Sequence, residues 1–247
     1  MNKMSSYYCS AEALFLNATE IIKPSGIFYV GAYQGGCIEM FKDFKCPVYA
    51  FEPNPAHWNK IQDEYNKHGV NGKLCTFGLA NFSQELDLNI PDSDQIASSF
   101  LQTKTISSMF PHISLKNSTK ATVVPLDALQ ITDCNYLILD VQGFEVNAIL
   151  GGYKTILENV DVIITESSTD ELYSCQNTVV DLHLLIEELG FFPMSELDHV
   201  HSDIIYIKNK YKNDFKDLPL ITHPIVSRNK EDFTLKNFGY NKEWSRA

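Results

Sequence analysis

Short apolar runs that alternate with helix-patterned stretches constrain this chain more than any other feature. Ile27 to Gly31 (IFYVG), Val48 to Phe51 (VYAF), Lys73 to Phe77 (KLCTF), Tyr136 to Val141 (YLILDV) and Val160 to Thr165 (VDVIIT) are each strand-length. Between them, residues 11–22, Gly35–Phe44, Ala56–His68, Phe144–Leu157 and Thr178–Leu189 carry helical spacing. Continuous apolar strands are buried on both faces, as the central strands of a parallel sheet are. Strand–helix alternation predicts βαβ units, hence an α/β fold with a mostly parallel, doubly wound sheet. Phe191-Phe192 and Ile204–Ile207 follow closely enough to predict an antiparallel last pair. Residues 81–120, rich in Ser, Asp and Asn, read as an irregular insertion with a short Leu86/Leu88/Ile90 strand.

At 247 residues the chain is the length of one large domain. Its 20 Lys+Arg against 31 Asp+Glu leave a net charge of −11, a poor field for nucleic acid or an anionic membrane. The charge is uneven. Residues 1–209 hold twelve lysines, no arginine and 26 acids, net −14, whereas 210–247 are net +3 and contain both arginines, Arg228 and Arg246. The six cysteines show neither C-x-x-C nor zinc-finger spacing, which predicts free thiols in a reducing compartment. No run approaches the roughly 20 apolar residues of a membrane span. With no secretory segment evident, a cytoplasmic location is expected, and Asn17, Asn81 and Asn117 in glycosylation-like tripeptides read as chance matches.

In such sheets ligands bind beyond the carboxyl ends of the strands. After the first strand stands Gly31-Ala-Tyr-Gln-Gly35-Gly36, a turn through which backbone can approach a ligand, although a glycine turn without a ligand has the same appearance. Glu52 ends the second strand 21 positions after Gly31, where an acid can accept ribose hydroxyls or merely cap the next helix. The two together predict a nucleoside-containing cofactor. A pyrophosphate or 2′-phosphate favours arginine, absent here, whereas a sulfonium-bearing adenosine suits an acidic pocket. Asp140, Gln142 and Glu145 cluster around the turn after the fourth strand, and Glu166 ends the fifth. Asp140 also reads as a helix cap and Glu145 as a first-turn acid.

These pieces, in this order, resemble the FkbM family of S-adenosylmethionine-dependent methyltransferases over about residues 25–208. The most specific segments are Asn135–Leu157 (NYLILDVQGFEVNAILGGYKTIL) and Val162–Tyr173, with FEPNP at 51–55, GLAN at 78–81 and Ser98-Ser99 in support. The resemblance implies a Rossmann-like class I fold and methyl transfer, usually to oxygen and often on sugars or glycans. It places Gly31, Ala32, Tyr33 and Gly35 at the methionine part of the cofactor, and Glu52, Pro53 and Asn54 at the ribose. It places Leu79 and Ala80 near the adenine, and Asp140, Val141 and Gln142 beneath the transferring methyl. The family turn D-x-G-A-N-x-G is departed from at Tyr29 and Tyr33.

An alcohol acceptor needs a base, and Asp140 is the first candidate, then Glu145 and Glu166. A divalent cation at Asp140, Gln142 or Glu166 could acidify the hydroxyl instead, but the sequence requires none. Asp198, His199, His201 and Asp203 read as a solvated hairpin, with a metal site and an acceptor-side base at His201 as alternatives. Residues 210–247 are expected to pack on the 1–209 domain, through Phe215, Leu218, Leu220, Ile225, Phe233, Phe238 and Trp244, or to hold a partner chain in an oligomer. A cofactor-binding module without catalysis and a nicotinamide oxidoreductase are the alternative functions.

Overall fold

The computed structural model describes residues 11–92, 95–105, 115–194 and 201–215. Its main sheet has seven strands: β1 (Ile27–Val30), β2 (Val48–Phe51), β3 (Gly72–Cys75), β7 (Tyr136–Leu139), β8 (Val162–Ser168), β9 (Phe191–Pro193) and β10 (His201–Lys208). Their order is β3-β2-β1-β7-β8-β10-β9, parallel from β3 to β8, with β10 antiparallel to both its neighbours. Chain order reverses between β1 and β7, so a crevice opens beyond the carboxyl ends of those two strands.

The apolar strands are apolar on both sides because each side meets its own core. Ile27 and Tyr29, with Tyr136 and Ile138, face α1 (Ala11–Ile21), α2 (Ile38–Phe41) and α3 (Trp58–His68). Phe28 and Val30, with Leu137 and Leu139, face α4 (Glu145–Gly151), α5 (Tyr153–Asn159) and α6 (Val179–Glu188). Strand side chains alternate, so four apolar residues in a row serve two layers. Helix α1 belongs to the domain: Phe15 is fully buried and sets its ring edge-on against Phe41, Phe44 and Tyr136. Phe15→Ala is expected to cost about 3–5 kcal/mol, by urea denaturation, because it leaves a cavity under the sheet.

Three expectations change in detail. The helix expected over 35–44 is regular only at Ile38–Phe41. The helix expected over 144–157 is two, broken at Gly151-Gly152, where a Cβ on Gly151 would overlap the Ala80 carbonyl oxygen. The insertion is more regular than its composition predicts. Strand β5 (Gln84–Pro91) pairs antiparallel with β6 (Leu115–Val124), and β4 (Gly78–Leu79) runs parallel to β6, giving a second, three-stranded sheet. The expected Leu86/Leu88/Ile90 strand is β5, polar on its other face, and what local pattern does not state is its pairing with the distant β6.

Phe215 is buried in the same core as α1. The remaining expected contacts of the extension, Leu218 to Trp244, lie outside the described residues, as do Asp198 and His199. Among the described residues, no helix is long and apolar enough to cross a membrane, and the five cysteines are free.

Candidate active site

A cleft of about 550 Å³, measured to its open mouth, lies where β1, β2 and β7 end. Three turns build its floor. Gly31 has φ +80 and sits where a Cβ would overlap the Asp140 carbonyl oxygen, so only glycine lets the ends of β1 and β7 meet. Tyr33 takes a left-handed φ of +48, and its ring lies edge-on to His57 at 4.4 Å. Gln142, at φ +53, is also left-handed, a rare state for such residues that clusters at functional sites.

Glu52 ties the turn after β1 to the turn after β2. Its Oε2 accepts from Tyr33 N at 2.8 Å, and its Oε1 accepts from Asn54 N at 2.7 Å. Glu52 is 6% exposed yet lines the cleft. Burial pushes its pKa up to about 7, against the partial relief of the two backbone donors. Each oxygen keeps a lone pair beyond its backbone bond, so the group can accept further hydroxyl donors.

At the end of β7, Gln142 Nε2 donates to Asp140 Oδ1 at 2.7 Å and to Glu166 Oε2 at 2.8 Å. The Tyr173 hydroxyl donates to Gln142 Oε1 at 2.8 Å and so sets the amide orientation. Ser99 Oγ donates to the Gln142 carbonyl at 2.7 Å, fastening the insertion to this turn.

The structure brings Gly31, Tyr33, Glu52, Pro53, Leu79, Asp140, Val141 and Gln142 to the wall of one cleft. The other expected residues stand behind it. Ala32 is buried in the core beside α2, and Gly35 forms the turn at φ +78. Asn54 caps the next turn through its bond from Ala56 N, and Ala80 packs with Val123 and Phe144. Tyr29, at the family's Asp position, packs edge-on to Phe41.

Glu145 turns away from the cleft, its Oε1 accepting from Val141 N at 3.1 Å and Gly143 N at 3.2 Å. Burial pushes its pKa up to about 7. A raised carboxyl pKa stabilises the fold fully below the ordinary value near 4.5, and that stability is lost as pH climbs to about 7. The shift corresponds to about 3 kcal/mol. Glu145→Gln, which keeps the acceptor oxygen, is expected to stay folded and to lose less stability between pH 5 and pH 8 than the parent, by urea denaturation. Glu166 lies behind Gln142, with His201 on its far side at 2.7 Å.

Sequence reasoning missed several walls. His57, its pKa lowered by burial, lines the cleft beside Glu52. Its signal was its place one turn after the strand-end acid. Leu88, Ile96, Phe100 and Phe144 make the apolar side. Three of these come from the insertion, and no local pattern joins them to the strand ends.

The residues fit an adenosine-type sulfonium cofactor. A buried acid at the tip of β2 and no lysine or arginine among the lining residues favour a cationic ligand with free ribose hydroxyls. Among the described residues, no group of three or more His, Cys, Asp or Glu side chains is placed to hold a metal ion.

The family described as methyltransferase FkbM domain matches residues 30–193. The fold is similar to the methyltransferase FkbM of Methylobacillus flagellatus KT, with a TM-score of 0.53 and 12% identity over 81% of this chain and 48% of that one. The chain thus spans about half that protein's length. It also aligns with the magnesium protoporphyrin IX methyltransferase of Synechocystis PCC 6803 with bound SAM, at a TM-score of 0.45 and 10% identity over 80% of this chain and 76% of that one. No curated protein matches.

Proposed function

The chain belongs to the FkbM methyltransferase family, and on that premise we propose that it transfers a methyl group from S-adenosylmethionine to a hydroxyl of a sugar or glycan. One observation carries this: the buried Glu52 and the Asp140–Gln142 turn open into the same cleft, about the β1 and β7 switch point. S-adenosylmethionine, when bound, supplies an electrophilic methyl on a sulfonium. The protein supplies orientation and a base.

Glu52 would accept the ribose hydroxyls, and the Gly31 turn would border the methionine part. Asp140 would take the proton of the acceptor hydroxyl, because an alcohol is a weak nucleophile until that proton leaves. Gln142, held by Tyr173, keeps one Asp140 oxygen engaged and fixes the carboxylate in place. A neutral acceptor suits a cleft without lysine or arginine on its walls. Polar Asp140, Gln142 and Ser98 beside apolar Phe100 and Leu88 match a sugar ring, with hydroxyls at its edge and C–H groups on its face.

Thermal shift with S-adenosylhomocysteine, NAD and NADP tests the cofactor. A rise in Tm with the first alone is expected, and a rise only with a dinucleotide would sink the reading. A radiolabelled methyl-transfer screen over free and linked sugars then tests the acceptor.

A further inference from the structure

Behind Gln142 the cleft floor is joined to a second polar cluster, partly buried. Glu166 accepts from Gln142 through Oε2, and its Oε1 lies 2.7 Å from His201 Nε2. His201 Nδ1 in turn lies 2.7 Å from Ser168 Oγ. The backbone makes this contact: β8 and β10 run antiparallel with His201 opposite Ser168 and Asp203 opposite Glu166. Asp140 Oδ1 and Glu166 Oε2 accept from the same Gln142 amide nitrogen, at 2.7 and 2.8 Å, which holds the two carboxyls side by side.

The order Glu, His, Ser is that of a nucleophile triad, but Ser168 is 1% exposed and no acyl substrate can reach its hydroxyl. The open end is the imidazole. The side chain of His201 keeps 24% of its surface exposed, so the chain of contacts runs from the cleft floor to solvent.

We propose that Glu166 and His201 form the proton outlet of Asp140, an inference that rests on the methyl-transfer reading. The acceptor oxygen bonds to the methyl carbon while the carbon–sulfur bond breaks, its electron pair staying on sulfur. The hydroxyl proton goes to Asp140 and then to Glu166, as Glu166 passes its own proton to His201 Nε2. The imidazolium then releases a proton to water, and Asp140 is again ionised.

The groups facing the pair are the acids Asp140, Glu145 and Asp203 and the hydroxyls of Ser168 and Tyr173. Burial, then Asp140, Glu145 and Asp203, push the Glu166 carboxyl well above the usual carboxylate range. Burial holds His201 below the usual imidazole range, with Asp140 opposing. A protonated Glu166 beside a neutral His201 is the state the outlet needs at neutral pH.

Two measurements test this on the full chain. The first is the NMR titration of the His201 ring in the parent and in Glu166→Gln. With Glu166 protonated, its O–H holds the neutral imidazole, so Gln in its place is expected to shift the His201 pKa by about one unit or more, and an unmoved pKa overturns the outlet. The second is the pH–rate profile of His201→Asn. Turnover is expected to drop about tenfold or more, with loss of the acid limb set by the imidazole, while S-adenosylhomocysteine affinity stays within about threefold. A profile of parental shape overturns the proposal. If the parent methylates none of the screened acceptors, the methyl-transfer reading falls by itself, and the titration, which needs no turnover, decides whether the pair shares a proton.

Discussion

Asp140→Asn is expected to lower turnover by about 10²–10⁴-fold, the range of a lost general base, while S-adenosylhomocysteine affinity by calorimetry changes by less than about tenfold. The asymmetry follows from where the residue stands. Its backbone belongs to the β1–β7 junction, with Asp140 N donating to the Val30 carbonyl at 3.0 Å, and the substitution leaves that bond intact. Its side chain engages Gln142 through one oxygen, and asparagine can keep that contact with its own carbonyl. What disappears is the basic lone pair at the cleft. A variant that retains methyl transfer within a few-fold of the parent would remove Asp140 from the reaction.

Glu52→Gln is expected to weaken S-adenosylhomocysteine binding by about 100-fold or more. Both Glu52 oxygens already accept backbone N–H groups, from Tyr33 and from Asn54. An amide offers one acceptor oxygen, so its NH₂ must face one of those donors. Leaving a buried donor unpaired costs about 1–3 kcal/mol, and weakening charge-assisted bonds to ligand hydroxyls costs a similar amount. Each 1.4 kcal/mol is about tenfold in affinity.

The parent should also show a pH signature. With the carboxyl pKa pushed up to about 7 by burial, the group is protonated below that value and must ionise to accept ligand hydroxyls. Affinity is therefore expected to fall as pH drops below about 7, by up to about tenfold per unit. The slope should vanish in Glu52→Gln. A parent affinity that stays flat between pH 5 and pH 8 would remove Glu52 from the ligand site.

The sequence and the structure divide this protein along a physical line. Ile27–Val30 and Tyr136–Leu139 announce a doubly buried parallel sheet because four apolar residues in a row leave no face for water. Gly31, Glu52 and Asp140 are legible too, since each sits at a fixed offset from such a strand, and strand ends converge in this topology. Glu145 was legible as an acid near the site but not in its direction. Only the folded turn shows that its oxygen serves the backbone of Val141 and Gly143.

The three-stranded insertion was hidden for a different reason. Strands β5 and β6 are separated by 23 residues, and their pairing is a non-local choice that neither strand's pattern states. The apolar wall at Leu88, Ile96 and Phe100 went with it. The link from Gln142 through Glu166 to His201 joins the turn after β7 to the interior of β8 and the start of β10; the strand expected to end before Glu166 runs on to Ser168. Periodicity and spacing determined the sheet and the acids at its edge; only tertiary structure decided which acids face the cleft, because side-chain direction at a turn depends on hydrogen bonds to chain far away in sequence.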